Sequence, residues 1–467
     1  MRAVHWILLS SVLAVGCTPK NGTPSGDERL VETCGFSPLA DENPSAEVVE
    51  VSLTADEQAW DPGTGTDVAG RAFNGTVPGP VVEVTVGQTL RLHFQNDTEH
   101  PTTIHWHGLR VPEAMDGISQ MMNPVPPGGT FTYEFEVKDA GFYWYHPHMD
   151  TADALEAGLY GSIVARAPGE AAASCDLPIV LDDVLLDRDT LQIEPPGTAM
   201  DQVMGRLGNH LLANGREDRT YEVVAGDVAV LRLVNASNAR HMDLGIDGVP
   251  MTVHATDGGW LESPYTVDRL VIAPGERYIV ALAAPDEVGQ EVVVTNRRVY
   301  LHHPGGDMME YDPLGDDETA VFQLRTVEGD PSGFTAPTFD PAPPMAASSP
   351  AHSWVLAEDM MAGTVTIDGA SWPDVPMVMA GANEPTTFVI DNQSEMRHPF
   401  HLHGNRFQVV EIDGESVEKP AWKDTVNVPA ETRVTIVSEL DNAGEWMYHC
   451  HILEHGDAGM AGMMTVE

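Results

Sequence analysis

The chain is poor in cysteine, in basic side chains and in long apolar runs, and each shortage removes a class of protein. Four cysteines in 467 residues are too few for a disulfide-built scaffold. Lysine and arginine number 24 against 71 aspartates and glutamates, a formal charge of −47. Such a surface repels phosphate backbones, so no nucleic-acid partner is expected. Cations, metal ions included, are favoured in encounter. The one long apolar run, residues 7–15 at the N-terminus, is too short to span a bilayer. With 42% hydrophobic and 20% charged residues the chain is globular, and its length exceeds one comfortable core.

What is present starts with that run. "MRAVHWILLSSVLAVGC" reads as a signal peptide over residues 1–17. The small residues before Cys17 resemble the lipobox of bacterial lipoproteins, with Ala14 where leucine is commoner; ordinary secretory cleavage is the alternative. The protein is therefore expected to be exported, either periplasmic or anchored to the outer membrane of a bacterium through a lipid on Cys17. Residues 18–43, polar at their start, are expected to form a flexible tether. In an oxidising compartment two of the three remaining cysteines should pair. Elimination selects Cys34 and Cys175, because Cys450 is flanked by histidines and has another use.

Short alternating stretches such as "VVEVTVGQTLRLHFQN" and "TYEVVAGDVAVLRLVN", separated by Gly, Pro, Asn and Asp, predict β-sandwiches. The pattern recurs: residues 84–108 parallel 223–245 and, more loosely, 384–404. "PPGGTFTYEFEVKDAGFYWYHPH" likewise parallels "PAETRVTIVSELDNAGEWMYHCH". The expectation is an all-β chain of three sandwich domains, 44–168, 175–330 and 348–467, with a Pro- and Ala-rich linker at 331–347. Histidine clusters mark only the first and third, so the middle domain reads as structural, or a spacer.

Ten of the 19 histidines fall in four clusters. These are His105 with His107, His146 with His148, His398 with His401 and His403, and His449 with His451 and His455. Residues i and i+2 of a strand share a face about 7 Å apart, so each HxH offers two imidazoles to neighbouring metal ions. One HxH is weak evidence, but four at matched repeat positions point to transition metal. Cys450 with two imidazoles and a nearby thioether is the ligand set of a blue-copper electron-transfer site; the candidates are His398, Cys450, His455 and Met460. Spacing typical of structural zinc is absent. Eight imidazoles then remain, a number that suits three coppers.

These motifs resemble those of the multicopper oxidases, in particular three-domain bacterial laccase-like enzymes. The resemblance runs through "HWHGLRVPEAMDG", "GFYWYHPHMDTADALEAGLYG", "HPFHLHGNRFQVVEIDG", "AWKDTVNVPAETRV" and "EWMYHCHILEHGDAGM", and covers roughly residues 45–467. It implies three cupredoxin-like Greek-key domains and four copper ions. His105 and His401 would bind the type-2 copper, His107, His146 and His451 one type-3 copper, and His148, His403 and His449 the other. Four one-electron oxidations at the type-1 copper would feed reduction of O2 to water. The partners implied are O2 and a small reducing substrate, with a monomer expected.

Three carboxylates complete the expected site. Glu454 resembles a proton relay, and Asp116 an acid supporting the type-2 copper. Asp424 resembles a carboxylate hydrogen-bonded to a type-1 histidine on the substrate side. Two substrate classes share this core: laccase-like oxidation of phenols and aromatic amines is the expected activity, and oxidation of the metal ions Cu(I), Fe(II) or Mn(II) is the alternative. The second draws on 21 methionines and on "GGDMMEYDPLGDDE" (305–318) and "AEDMMAG" (357–363), where thioether beside carboxylate suits Cu(I). A copper-free structural protein of the same fold would require missing ligands, and none is missing.

Overall fold

The computed structural model describes residues 30–118, 122–195, 197, 201–302, 312–315, 317–337, 344–359 and 362–467. The signal peptide and lipobox lie outside these residues, as do His303, residues 305–311 and both methionines of "AEDMMAG".

Strands alternate buried and exposed side chains as the sequence does; Val48–Trp60 buries Val49, Val51, Leu53 and Ala55. Six sheets result, packed in pairs as three cupredoxin-like sandwiches. In the first, Val68–Phe73, Val48–Trp60, Thr89–Asp97 and Thr130–Glu136 face a sheet ordered Gly79–Thr85, Gly161–Arg166, Gly141–His146, His105–His107. The second pairs two six-stranded sheets built mainly from residues 175–327. The third sets a sheet centred on Thr386–Asn392 and Arg433–Ser438 against one ordered Val378–Ala380, Ala461–Val466, Gly444–Cys450, His398–Leu402, Thr425–Val428. Trp354 stacks on Phe388 and packs against Phe400 and Tyr448 between these last two sheets.

The expected tether differs from the structure where it is described. Leu30–Thr33 is a strand, paired in parallel with residues 219–222 of the second sandwich. Cys34 follows it and forms a disulfide with Cys175, the first residue of the strand Cys175–Val184. The β-branched "LVET" finds a free sheet edge there, which a purely polar leash would not.

The two histidine-bearing hairpins repeat each other to their ends. After Gly141–His146 comes the short helix Thr151–Glu156; after Gly444–Cys450 comes Leu453–Asp457. Asp457 accepts from the amides of Thr151 and Ala152, so one helix is capped by the other unit. Ion pairs also bridge units: Arg166 and Arg232 share the buried Asp176, and Arg110 and Arg406 share the half-buried Asp139.

Candidate metal centre

Strand pairing brings the histidine clusters together. His105 lies opposite His146, and His401 opposite His449. The two histidine-bearing sheets meet face to face, with His107 stacked on His401 at 3.8 Å between ring centroids and His105 tilted against His403 at 4.1 Å. Three groups form: His105, His107 and His401; His107, His146 and His451; His148, His403 and His449. Within each, the ligand-capable atoms lie within 4.8 Å of one another.

In most of these rings the nitrogen that does not face the cluster is tied down. His105 Nδ1 donates to the Asp116 carbonyl (2.8 Å), His146 Nδ1 to that of Pro147 (2.9 Å), and His449 Nδ1 to that of Cys450 (2.8 Å). His401 Nδ1 donates to the Asp424 carbonyl at 3.0 Å, and His403 Nδ1 to Asp116 Oδ2 at 2.8 Å. The opposite nitrogens of His105, His146 and His401, with His148 Nε2 and both nitrogens of His451, are buried without a partner. Buried polar atoms are rarely left so, and inward-facing lone pairs on neutral imidazoles are what copper takes. Burial first, and repulsion between neighbouring rings second, pushes His107, His146, His148, His403 and His449 well below the ordinary imidazole range. The donor set therefore fits metal and not protons.

A second group lies on the opposite face of the strand Gly444–Cys450. Cys450 Sγ is 3.4 Å from His398 Nδ1 and 3.5 Å from His455 Nδ1, all three fully buried. Burial pushes the Cys450 thiol up, so a thiolate there needs a cation beside it. His455 Nε2 donates to the Val203 carbonyl (2.9 Å) and His398 Nε2 to Ser394 Oγ (2.8 Å). Met460 is fully buried in the same core; its carbonyl accepts from the Cys450 amide and its amide donates to the His455 carbonyl.

Glu454 is buried on the neighbouring turn, its Oε1 accepting from Asn238 Nδ2 at 2.8 Å and its Oε2 unpartnered. Burial raises it to about 7. It borders a cavity of about 530 Å³ that Arg71, Asp153, Arg206 and Asp457 also line.

One expectation is corrected: the histidines that Asp424 adjoins are His107 and His401, not His398. In the register of His398–Leu402 with Thr425–Val428, His401 faces Thr425 while His398 faces Val428. Asp424 therefore sits at the eight-histidine end, its Oδ1 3.2 Å from His107 Nε2 and 3.5 Å from His401 Nδ1. The carboxylate beside His398 is instead Glu358, whose Oε2 is 3.5 Å from Nε2. Of the two readings of the middle unit, structural or spacer, its contacts agree with the first: it supplies Asn238 to Glu454, the Val203 carbonyl to His455, and Arg277 to Asp424 through two 2.6 Å contacts. Against the cost of burial, that guanidinium holds Asp424 well below the usual carboxylate range. Sequence reading missed Glu358, Asn238 and Arg277. Only Glu358 carried a local signal, its place in the "AED" stretch.

Comparison with known proteins agrees with this geometry. Family models described as multicopper oxidase match residues 54–170, 179–305 and 344–467. The multicopper oxidase MmcO of Mycobacterium tuberculosis is 30% identical over 89% of this chain and 87% of its own length. Among solved structures, a multicopper oxidase from Campylobacter jejuni described as a metallo-oxidase superposes with a TM-score of 0.80 at 26% identity, covering 93% of this chain and 95% of its own. A laccase-like multicopper oxidase from Ochrobactrum sp. gives 0.77 at 26% identity, covering 93% and 100%. The chain belongs to the multicopper oxidases. It is an oxidoreductase with copper cofactors, four ions being typical of its family, and it uses O2 and a reducing substrate.

Proposed function

We propose that His398, Cys450, His455 and Met460 hold a type-1 copper and that the eight remaining cluster histidines hold three more. His105 and His401 would serve the type-2 ion, His107, His146 and His451 one type-3 ion, and His148, His403 and His449 the other. One observation carries this reading: Cys450 and its neighbours His449 and His451 face opposite sides of one strand end, each toward a separate buried donor set. Copper held by these residues would supply one-electron oxidation at the Cys450 site and reduction of O2 to water at the histidine cluster. The chain's own part is to join the two with a covalent path of one residue and to keep water out of both. Glu454, held by Asn238, is placed to pass protons, and Asp116 to orient His403.

For the reductant, the Glu358 carboxylate against His398 and the strongly acidic surface favour a small metal cation, Cu(I) or Fe(II). Phenol and aromatic amine oxidation is the second reading, supported by the laccase-2 of Botryotinia fuckeliana, 28% identical over 85% of this chain. Export, with a lipid on Cys17, and a monomeric state complete the proposal; the N-terminal motif supports the first two.

The test is copper stoichiometry and visible absorption of the purified protein beside Cys450→Ser. Four coppers and an intense blue band are expected, with the band lost in the variant. A blue band that survives the substitution sinks the type-1 assignment.

A further inference from the structure

A cavity of about 330 Å³ opens where the second and third units meet, and none of its lining residues belongs to a histidine or cysteine group. Its volume suits a ligand of one ring, and its walls are aromatic. Trp260 and Tyr265 come from the strand Gly259–Val267, Tyr278 from Arg277–Ala283, and Trp422 from the short strand Trp422–Lys423 of the third unit. Both indoles are held by neighbours: the Arg406 guanidinium lies 4.3 Å from the Trp422 ring centroid, and Phe334 stacks on Trp260 at 6.3 Å. Rings fixed in advance lose little freedom when a ligand arrives.

The inner end of the cavity is polar. Lys423 is buried there, its ammonium 5.1 Å from the Tyr278 ring centroid and 3.1 Å from both Asp257 Oδ2 and Glu276 Oε1. An ammonium carries three donors, so two carboxylates leave one for a ligand oxygen. Tyr265 and Tyr278 lie close enough to feel the charges of Lys423 and Glu276, and a tyrosine hydroxyl can donate or accept. At the outer end Glu262, Glu418 and Lys419 line the cavity from exposed positions. Carboxylates thus outnumber ammonium groups at both ends, Asp257 and Glu276 against Lys423 inside and Glu262 and Glu418 against Lys419 outside. An anion is disfavoured throughout. The inner donors suit a neutral oxygen, and the outer carboxylates suit a cation.

We propose that this cleft binds a small phenolic amine, with its ring against Trp260 and Trp422, its hydroxyl at Lys423 and its ammonium toward Glu262 and Glu418. The site goes beyond the oxidase reading and does not depend on it. Calorimetric titration of the full-length protein tests it, with the protein reduced and held under argon so that no ligand is oxidised. The probes share one shape and differ in charge: tyramine, 4-ethylphenol and 4-hydroxyphenylacetate. Tyramine binds one to one at low salt, about tenfold tighter than 4-hydroxyphenylacetate, with 4-ethylphenol between them; added salt narrows the gap. Trp260→Ala weakens tyramine about tenfold. Tyr265→Phe, which loses only a hydroxyl, weakens it about threefold. Glu262→Gln combined with Glu418→Gln brings tyramine to the level of 4-ethylphenol. Absence of saturable binding by every probe overturns the proposal, as does 4-hydroxyphenylacetate bound as tightly as tyramine. Tyramine binding that is unchanged in both Tyr265→Phe and the double glutamine variant places the ligand elsewhere and overturns it too, even if Trp260→Ala fails to fold. A wild type that holds no copper but binds tyramine in this order would instead overturn the oxidase reading and leave the cleft standing.

Discussion

His403 Nδ1 and Asp116 Oδ2 meet at 2.8 Å across 287 positions of sequence and across the boundary between the first and third units. The same aspartate takes His105 Nδ1 on its carbonyl, so one residue aims an imidazole from each unit. Asp116→Ala removes the carboxylate that aims His403 while the backbone carbonyl still holds His105. Copper at the histidine cluster and oxygen turnover should drop about 10–100-fold, with the blue band unchanged. Copper analysis with visible spectroscopy checks this.

Glu454→Gln removes the acid but keeps an oxygen for Asn238. Oxygen uptake should fall on the order of 100-fold, the usual worth of a positioned proton donor. Anaerobic bleaching of the blue band by a reductant needs no proton at the cluster and should keep its rate. Equal losses in both steps would place Glu454 in structure and not in proton delivery.

Glu358→Gln separates the two reductant classes. If a cation docks against His398, kcat/KM for Cu(I) or Fe(II) should fall about tenfold or more with the lost charge, and the value for a phenol should hold within about twofold. Steady-state assays at one salt concentration decide it. A larger loss for the phenol reverses the assignment.

Glu156, a member of none of the proposed ligand groups, predicts a pH effect on stability. Burial raises it to about 8, with Arg206 opposing, from an ordinary value of 4.5. The folded state therefore holds a proton that the unfolded chain has released across that window, and stability falls as pH rises through it. Glu156→Gln keeps an acceptor for the Leu185 amide, which bonds Glu156 at 2.8 Å. Unfolding free energies at pH ~5.5 and ~8.5 should differ less in the variant, by on the order of 3 kcal/mol.

Much of this was legible along the chain because it is short-range. Alternation gave the sandwiches, and HxH at matched repeats gave the donor sets, since period two settles which side chains share a face. Cys450 stood out for the same reason, one residue out of phase with its neighbours. What escaped depends on partners far away in sequence: Arg277 reaches Asp424 across 147 positions, and Asn238 reaches Glu454 across 216. No local pattern marks such residues. Asp424 was misplaced because its role hangs on register; the strand slips His398 to Val428 and leaves Asp424 at the other end of the histidine strand. The strand Leu30–Thr33 hid within a polar stretch too short to show a period.

That strand has a mechanical consequence. Any pull on the chain ahead of residue 30 enters the molecule through a parallel ladder, Leu30 to Thr33 against residues 219–222, loaded in shear. The Cys34–Cys175 bridge lies immediately behind it and passes the load into the second sandwich. The first sandwich, with its four cluster histidines, hangs outside that line of force; the second, which grips Asp424 through Arg277 and His455 through the Val203 carbonyl, takes the load.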